Sequence, residues 1–180
     1  MSNFWEESFK QKKEMWGAAP CHSAKLTAEL FSKKELKNIL IPGIGYGRNV
    51  QPFLESGMNI TGIEISESAI SMASKYLGDK ATIYHGSVNA MPYDSKTYDG
   101  IYSHALIHLL DHPTRLQFIK NCFKQLSPNG RMVFTAISKN ADSYGKGTLL
   151  EKDRYEIHKG APIIFMMRKL SKTILVLMDV

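Results

Sequence analysis

Cysteine is scarce in this chain. Cys21 and Cys122 stand alone without a Cys-x-x-Cys spacing, which excludes a disulfide framework and a cysteine zinc site and leaves two free thiols. No apolar run approaches the roughly 20 residues that cross a bilayer. The opening Met1-Ser2-Asn3-Phe4-Trp5-Glu6-Glu7 also lacks the basic start and apolar stretch of a secretion signal. The expectation is a cytoplasmic protein with no membrane partner. Internal repeats and low-complexity tracts are absent, and so is a concentrated basic surface. The net charge is +6, but the lysines are scattered and pair only at Lys12-Lys13 and Lys33-Lys34, so a nucleic-acid partner is disfavoured. At 180 residues the chain has the length of one domain with a real core. Nothing in the sequence bears on the number of copies.

What is present is organised around Asn38-Ile39-Leu40-Ile41-Pro42-Gly43-Ile44-Gly45-Tyr46-Gly47-Arg48-Asn49, an apolar strand running into three alternate glycines and then into helical periodicity. Glycines 43, 45 and 47 permit positive φ and remove the Cβ atoms that would hold a ligand off the backbone. A second strand, Ile60-Thr61-Gly62-Ile63-Glu64-Ile65, ends in a carboxylate 21 residues after Gly43. At that distance a neighbouring parallel strand sets an acid against the ribose of an adenosine. Spacing alone leaves dinucleotides and S-adenosylmethionine open. In the dinucleotide fingerprint a third glycine falls where Arg48 stands, and no Tyr-x-x-x-Lys pair of a nicotinamide oxidoreductase is recognisable.

Along the chain, Phe4 to Met15 reads as a helix. Ser23 to Phe31 reads as a second, with Ser23 as its cap and Leu26, Leu30 and Phe31 on its inner side. After the glycine loop, Val50, Phe53 and Leu54 mark a helix face that stops at Gly57. Ser66 caps a helix that buries Ile70, Ala73 and Leu77 and ends at Gly78, and Ala81 to His85 is a third strand. Tyr98 to Ser103 is a fourth strand, Asp99 bracing it. Pro113 opens a helix whose buried stripe is predicted to be Leu116, Ile119, Phe123 and Leu126. Ser127-Pro128-Asn129-Gly130 is a turn by composition, and Arg131 to Ile137 is the fifth strand. Ala136 to His158, with Gly145 and Gly147, reads as a long polar excursion, and Ile174 to Val180 as one further strand. Strands alternating with amphipathic helices imply an α/β fold. Its sheet is doubly wound and mostly parallel, of Rossmann-like type, with ligands at the carboxyl ends of the strands.

The Gly-x-Gly-x-Gly loop with its acid after the second strand resembles the class I S-adenosylmethionine-dependent methyltransferases of the small-molecule type. The resemblance covers roughly residues 38–137. It implies a single domain, with residues 1–37 as a helical cap, 38–137 as the cofactor-binding core and 138–180 as acceptor-side excursion and C-terminal segment. It further implies a small-molecule methyl acceptor and S-adenosylmethionine as cofactor, held by Gly43, Gly45, Gly47 and Arg48 of the loop. Glu64 would take the ribose hydroxyls and Ile65 would pack on adenine. Gly86, Ser87 and Val88 stand where the family writes Gly-Asp-Val. Ser103-His104-Ala105-Leu106-Ile107-His108-Leu109 is similar to the family stretch that sets a histidine beside the transferring methyl. His104 would be a cofactor contact and, with His108, a catalytic candidate. Trp16, Tyr144 and Tyr155 are candidates to touch the acceptor. His104, His108 and His112 fall at fourfold spacing without thiolate support, and no metal is expected.

The chain departs from the pattern in three places. Ile41 stands where an acid is usual, Ser87 replaces the aspartate, and the antiparallel seventh strand is missing, so truncation or a slip of reading frame near Phe165 is expected. Two alternatives stay open: a non-catalytic S-adenosylmethionine-binding module, and the thiol- and thiopurine-methylating branch, which also writes proline before the first glycine.

Overall fold

The protein is described by a computed structural model covering residues 2–166 and 174–179. Residues 167–173, next to Phe165 where the frame slip was expected, lie outside the described residues, as does Val180.

The helices Ser2–Lys12 (α1) and His22–Lys33 (α2) precede the first strand, Asn38–Pro42 (β1). Then follow Gln51–Glu55 (α3), Asn59–Glu64 (β2), Glu67–Leu77 (α4), Ala81–His85 (β3), Tyr98–Ser103 (β4), His112–Lys124 (α5) and Leu126–Ile137 (β5). Three short strands, Thr148–Glu151 (β6), Arg154–His158 (β7) and Ala161–Ile164 (β8), come before Ile174–Asp179 (β9).

The main sheet has the order β3-β2-β1-β4-β5-β9, and each of its ladders is parallel. The order reverses at β1, which pairs with β2 on one side and β4 on the other, so a crevice opens where their carboxyl ends part. Ser103 stitches its two walls, its hydroxyl donating to the Pro42 carbonyl at 2.9 Å. Both faces of the sheet are dry. Ile39 and Ile41 of β1 pack with Phe31, Phe53 and Tyr102 on one face, whereas Leu40 packs with Ile101, Phe118 and Phe134 on the other. Each such side chain contributes roughly 1.5–3 kcal/mol by leaving water.

Local chemistry accounts for much of this. Ser66 caps α4, its hydroxyl accepting from Ala69 N–H at 3.1 Å, and Gly57 and Gly78 end their helices at positive φ. Asp99 braces β4 against the start of β1 by accepting from the N–H groups of Lys37 and Asn38. The 127–130 turn becomes an irregularity within β5, since Tyr98 pairs with Leu126 but Gly100 pairs with Arg131.

Three expectations are corrected. Helix α5 buries Arg115, Phe118, Asn121 and Cys122 and leaves Leu116 and Phe123 46% and 61% exposed. Phe118 meets Phe134 edge-on at 5.6 Å, and the buried polar groups find partners, Arg115 donating to the Leu110 carbonyl at 3.0 Å. Ser23 is not a cap. Cys21 holds the cap position of α2, and Ser23 is buried inside the first turn while Leu26 faces out. The polar excursion is an ordered antiparallel sheet, β6-β7-β8, tied to the crevice by Ile164 N–H donating to the His108 carbonyl at 2.9 Å. The one further strand, β9, runs parallel beside β5, and no antiparallel strand joins the main sheet among the described residues.

Candidate functional site

The floor of the crevice is the glycine loop. The N–H groups of Gly43 and Ile44 donate to the Ile63 carbonyl, folding the chain back over the end of β2. Gly43, Gly45 and Gly47 adopt φ of 72°, 58° and 86°. A Cβ at Gly45 would meet only the Phe9 ring, at 3.8 Å, so the bare backbone there faces space. Glu64 stands behind it, buried. Its Oε2 accepts from Gly45 N–H at 2.8 Å, and its Oε1 accepts from the N–H groups of Ile65 and Ser66 at 2.8 and 3.0 Å. Burial pushes the Glu64 carboxyl up, outweighing the three backbone donors that favour its charged form.

Helix α1 roofs the loop. The Glu6 carboxylate accepts from the hydroxyls of Ser66 and Ser68 at 2.6 and 2.7 Å, at the N-terminus of α4, and these bonds hold it down at about 2. The segment after α1 is tied to the loop from the other side. Tyr46 donates to the Gly17 carbonyl at 2.7 Å, Arg48 donates to the Trp16 carbonyl at 2.8 Å, and the Asn49 side chain accepts from Cys21 N–H at 3.0 Å. Trp16 stacks on Tyr46 with the ring planes 8° apart.

The far wall follows β4. Ala105 takes φ of 54°, an uncommon conformation for a residue with a Cβ, and its N–H donates to the Thr135 hydroxyl at 2.9 Å. This bend sets His104 Nδ1 2.9 Å from the same hydroxyl. His108, one turn further, is buried. Its Nδ1 has no hydrogen-bond partner among the described residues, and burial, with the charge of His104 second, lowers the ring to about 4.

Floor, roof and wall enclose a cavity of about 1000 Å³ that also takes in Leu109, Leu110, Ala161 and Ile163. That is the upper end of the roughly 300–1,000 Å³ of small-ligand pockets.

The structure brings most of the sequence-predicted residues to this cavity. Gly43, Gly45, Arg48, Glu64 and Ile65 line it, as do Gly86, Ser87, Val88, Trp16, His104 and His108. Gly47 does not. It seats the loop on α4, where an added Cβ would lie 2.9 Å from Leu77. Gly86 has a second duty, since a Cβ there would collide with the Tyr93 ring, whose hydroxyl donates to the Ser87 carbonyl at 2.8 Å. The Ser87 hydroxyl already accepts from Asn89 N–H. Tyr144 and Tyr155 do not line the cavity: they pack edge-on against each other and against Phe165, and Tyr144 donates to Asp153. His112 is exposed at the start of α5, outside the wall. Sequence reasoning missed Trp5, Phe9 and Tyr46, the β8 residues, and Thr135 behind His104. The aromatic spacing of Trp5 and Phe9 on α1 was the available signal.

A bare-backbone loop and a buried acid at the switch point of a parallel sheet define a nucleotide-cofactor α/β domain. The sequence profile described as a methyltransferase domain matches residues 40–134, and the chain belongs to that family. Among curated proteins it is 27% identical over 112 residues to a ubiquinone biosynthesis O-methyltransferase of Nitrosospira multiformis, covering 60% of this chain and 46% of that one. It is 26% identical over 111 residues to the protein of that name from Coxiella burnetii, covering 60% and 47%. The chain thus spans about half the length of the curated relatives it matches. Among solved structures, the CcbJ methyltransferase of Streptomyces caelestis superposes with a TM-score of 0.68 at 18% identity, covering 83% of this chain and 66% of that one, a likeness of fold. The glycopeptide N-methyltransferase MtfA gives 0.57 at 25% identity, covering 67% and 60%. Among the described residues no helix is long and apolar enough to cross a membrane.

Proposed function

We propose that the protein transfers a methyl group from S-adenosylmethionine to a small acceptor with an apolar body. The joint between Gly45 N–H and the Glu64 carboxylate, on the floor of a roofed cavity, is the observation that carries this reading. The residues present fit the cofactor. Gly45 leaves the space that a Cβ would fill, the Glu64 Oε2, which accepts only from Gly45 N–H, keeps a lone pair for a ribose hydroxyl, and Ile65 and Val88 offer apolar contact for adenine. The bound sulfonium would supply both the activated methyl and its leaving group.

What remains for the chain is alignment. Phe4, Trp5, Phe9 and Trp16 from the roof and Leu109 and Ile163 from the wall suit an apolar acceptor enclosed on several sides, which favours a small molecule over a polymer. His104, held by Thr135, is placed to take the acceptor's proton. The neutral His108 offers a hydrogen bond beside it. Oxygen, sulfur and nitrogen nucleophiles fit this arrangement equally. The proposal includes a cytoplasmic setting, which the two unpaired thiols support.

Isothermal titration with S-adenosylhomocysteine and with NAD tests the cofactor. Binding of the first alone is expected, and binding of NAD alone would overturn the assignment. A methyl-transfer screen over phenols, thiols and amines tests turnover. Cofactor binding with no transfer to any of them would favour a non-catalytic binding module.

A further inference from the structure

The two cysteines have opposite surroundings. Cys122 is fully buried on α5 in an apolar cluster, which pushes its thiol up. Cys21 is partly exposed at the N-terminus of α2, a helix of 12 residues, where the backbone dipole favours negative charge. Its Sγ lies 3.2 Å from the Ser23 hydroxyl, 3.5 Å from the Tyr102 hydroxyl and 3.7 Å from His104 Nδ1. Ser23 links the others, its hydroxyl being 3.2 Å from Tyr102 and 3.4 Å from His104 Nδ1. Among the described residues, the titratable groups facing the thiol are the Tyr102 phenol of β4 and the His104 imidazole just after it. The remaining polar neighbours are Ser23 of α2, Thr135 of β5 behind the imidazole, and the Asn49 amide that holds the Cys21 N–H.

We propose that Cys21 is a nucleophilic thiol, a covalent modification site for soft electrophiles, whose proton passes to His104 through the Ser23 hydroxyl. The thiolate attacks the electrophilic atom, a new bond to sulfur forms, and the leaving group departs with its electron pair. With an alkyl halide the departing species is halide, and the thiol's proton stays on the imidazole until solvent removes it. With a low-molecular-weight disulfide the departing thiolate takes that proton back. Burial alone would push the thiol up, but the hydrogen bonds of His104, Ser23 and Tyr102 and the charge of His104 bring it down to about 6. An adduct on Sγ would crowd the His104 ring at the cavity wall. Its effect on methyl transfer rests on the function proposed above, whereas the reactivity of the thiol does not.

The test follows iodoacetamide labelling of the folded, full-length chain by intact mass and peptide mapping across acidic to alkaline pH. One adduct is expected, at Cys21, with a rate half-maximal near pH 6, while the denatured chain takes two. In His104→Gln the half-maximum is expected to move toward the ordinary thiol value of about 8.5, so that the rate at mildly acidic pH falls about tenfold or more. Ser23→Ala should move it in the same direction and serves where the histidine variant does not fold. A wild-type half-maximum at or above about 8.5, labelling of Cys122 before Cys21, or a folded chain that takes no label would overturn the proposal. So would a profile unmoved in both variants. None of these readouts depends on methyl transfer.

Discussion

Replacing Glu64 by Gln tests the floor of the site with almost no change of shape. The carboxylate now meets three N–H donors, two on Oε1 and one on Oε2. A glutamine must present its NH₂ to one side. Facing Ile65 and Ser66 it would strand two donors, so the amide settles with its oxygen there and its NH₂ against Gly45 N–H. One unmatched buried donor costs about 1–3 kcal/mol of stability. The same rotation aims a donor at the space where ribose hydroxyls need an acceptor. Losing a hydrogen bond to a charged group costs about 1.5–3 kcal/mol, roughly a 10- to 150-fold rise in the dissociation constant. Stability and affinity should also separate with pH. Because the folded value of Glu64 is raised, the folded state holds that proton more tightly than the unfolded chain. Its contribution is therefore fully present below the unfolded value of 4.5 and is lost as pH rises through the folded one. Cofactor hydroxyls favour the ionised form, so affinity climbs over the same window, and the glutamine variant should show neither slope. Titration calorimetry with S-adenosylhomocysteine, with a melting curve to confirm folding, reads both. A folded variant binding within about twofold of wild type would refute the argument, since a lost charge-assisted bond is worth far more.

Other perturbations address other parts of the site. Gly47→Ala should cost roughly 2–3 kcal/mol, from a Cβ at φ 86° and its 2.9 Å approach to Leu77; a lowered urea midpoint at unchanged slope checks this. His108→Leu should flatten the acid side of the stability profile. A ring lowered to about 4 stays neutral in the fold, so its stability is present above the ordinary 6.5 and lost as pH falls toward 4, an interval worth about 3 kcal/mol. His104→Gln should lower kcat by about 10²–10⁴-fold with the acceptor found by screening, leaving the affinity for S-adenosylhomocysteine within a few-fold; an unchanged kcat would remove His104 as the proton acceptor.

The parallel sheet was legible because its signals are local. An apolar run, a glycine or serine at its end and a helical stripe recur within about 20 residues, and each pair of neighbours fixes one crossover. The face of α5 was not, because its window carries two competing apolar stripes. Leu116 and Phe123 make one, and Phe118 and Cys122 the other. Which is buried depends on Phe134 of β5 and on partners for Arg115 and Gln125 that lie outside the helix. The same holds for the sheet β6-β7-β8. Its strands are only four or five residues long and partly exposed, so alternation gives little signal, and its place is set by the bond from Ile164 N–H to the His108 carbonyl and, just past β8, by that from Met166 N–H to the Ile137 carbonyl of β5.

Within the site, the spacing of the glycines identified the loop but not the division of labour inside it. All three take positive φ, which is the property a sequence can announce. What distinguishes them is what an added Cβ would strike. At Gly45 that is little but space beneath the Phe9 ring, while at Gly47 it is Leu77 of a helix whose contact only the folded chain creates. Cys21, Ser23, His104 and Thr135 make the same point at longer range. They come from α2, the loop after β4 and the interior of β5, and they meet because β4 lies between β1 and β5 in the sheet. A serine in the first turn of a predicted helix reads naturally as a cap. Once Cys21 occupies that position, the Ser23 hydroxyl is turned inward, buried, and must find a partner. The polar cluster behind His104 therefore follows from a two-residue displacement of one helix start, which helix boundaries read from sequence cannot resolve.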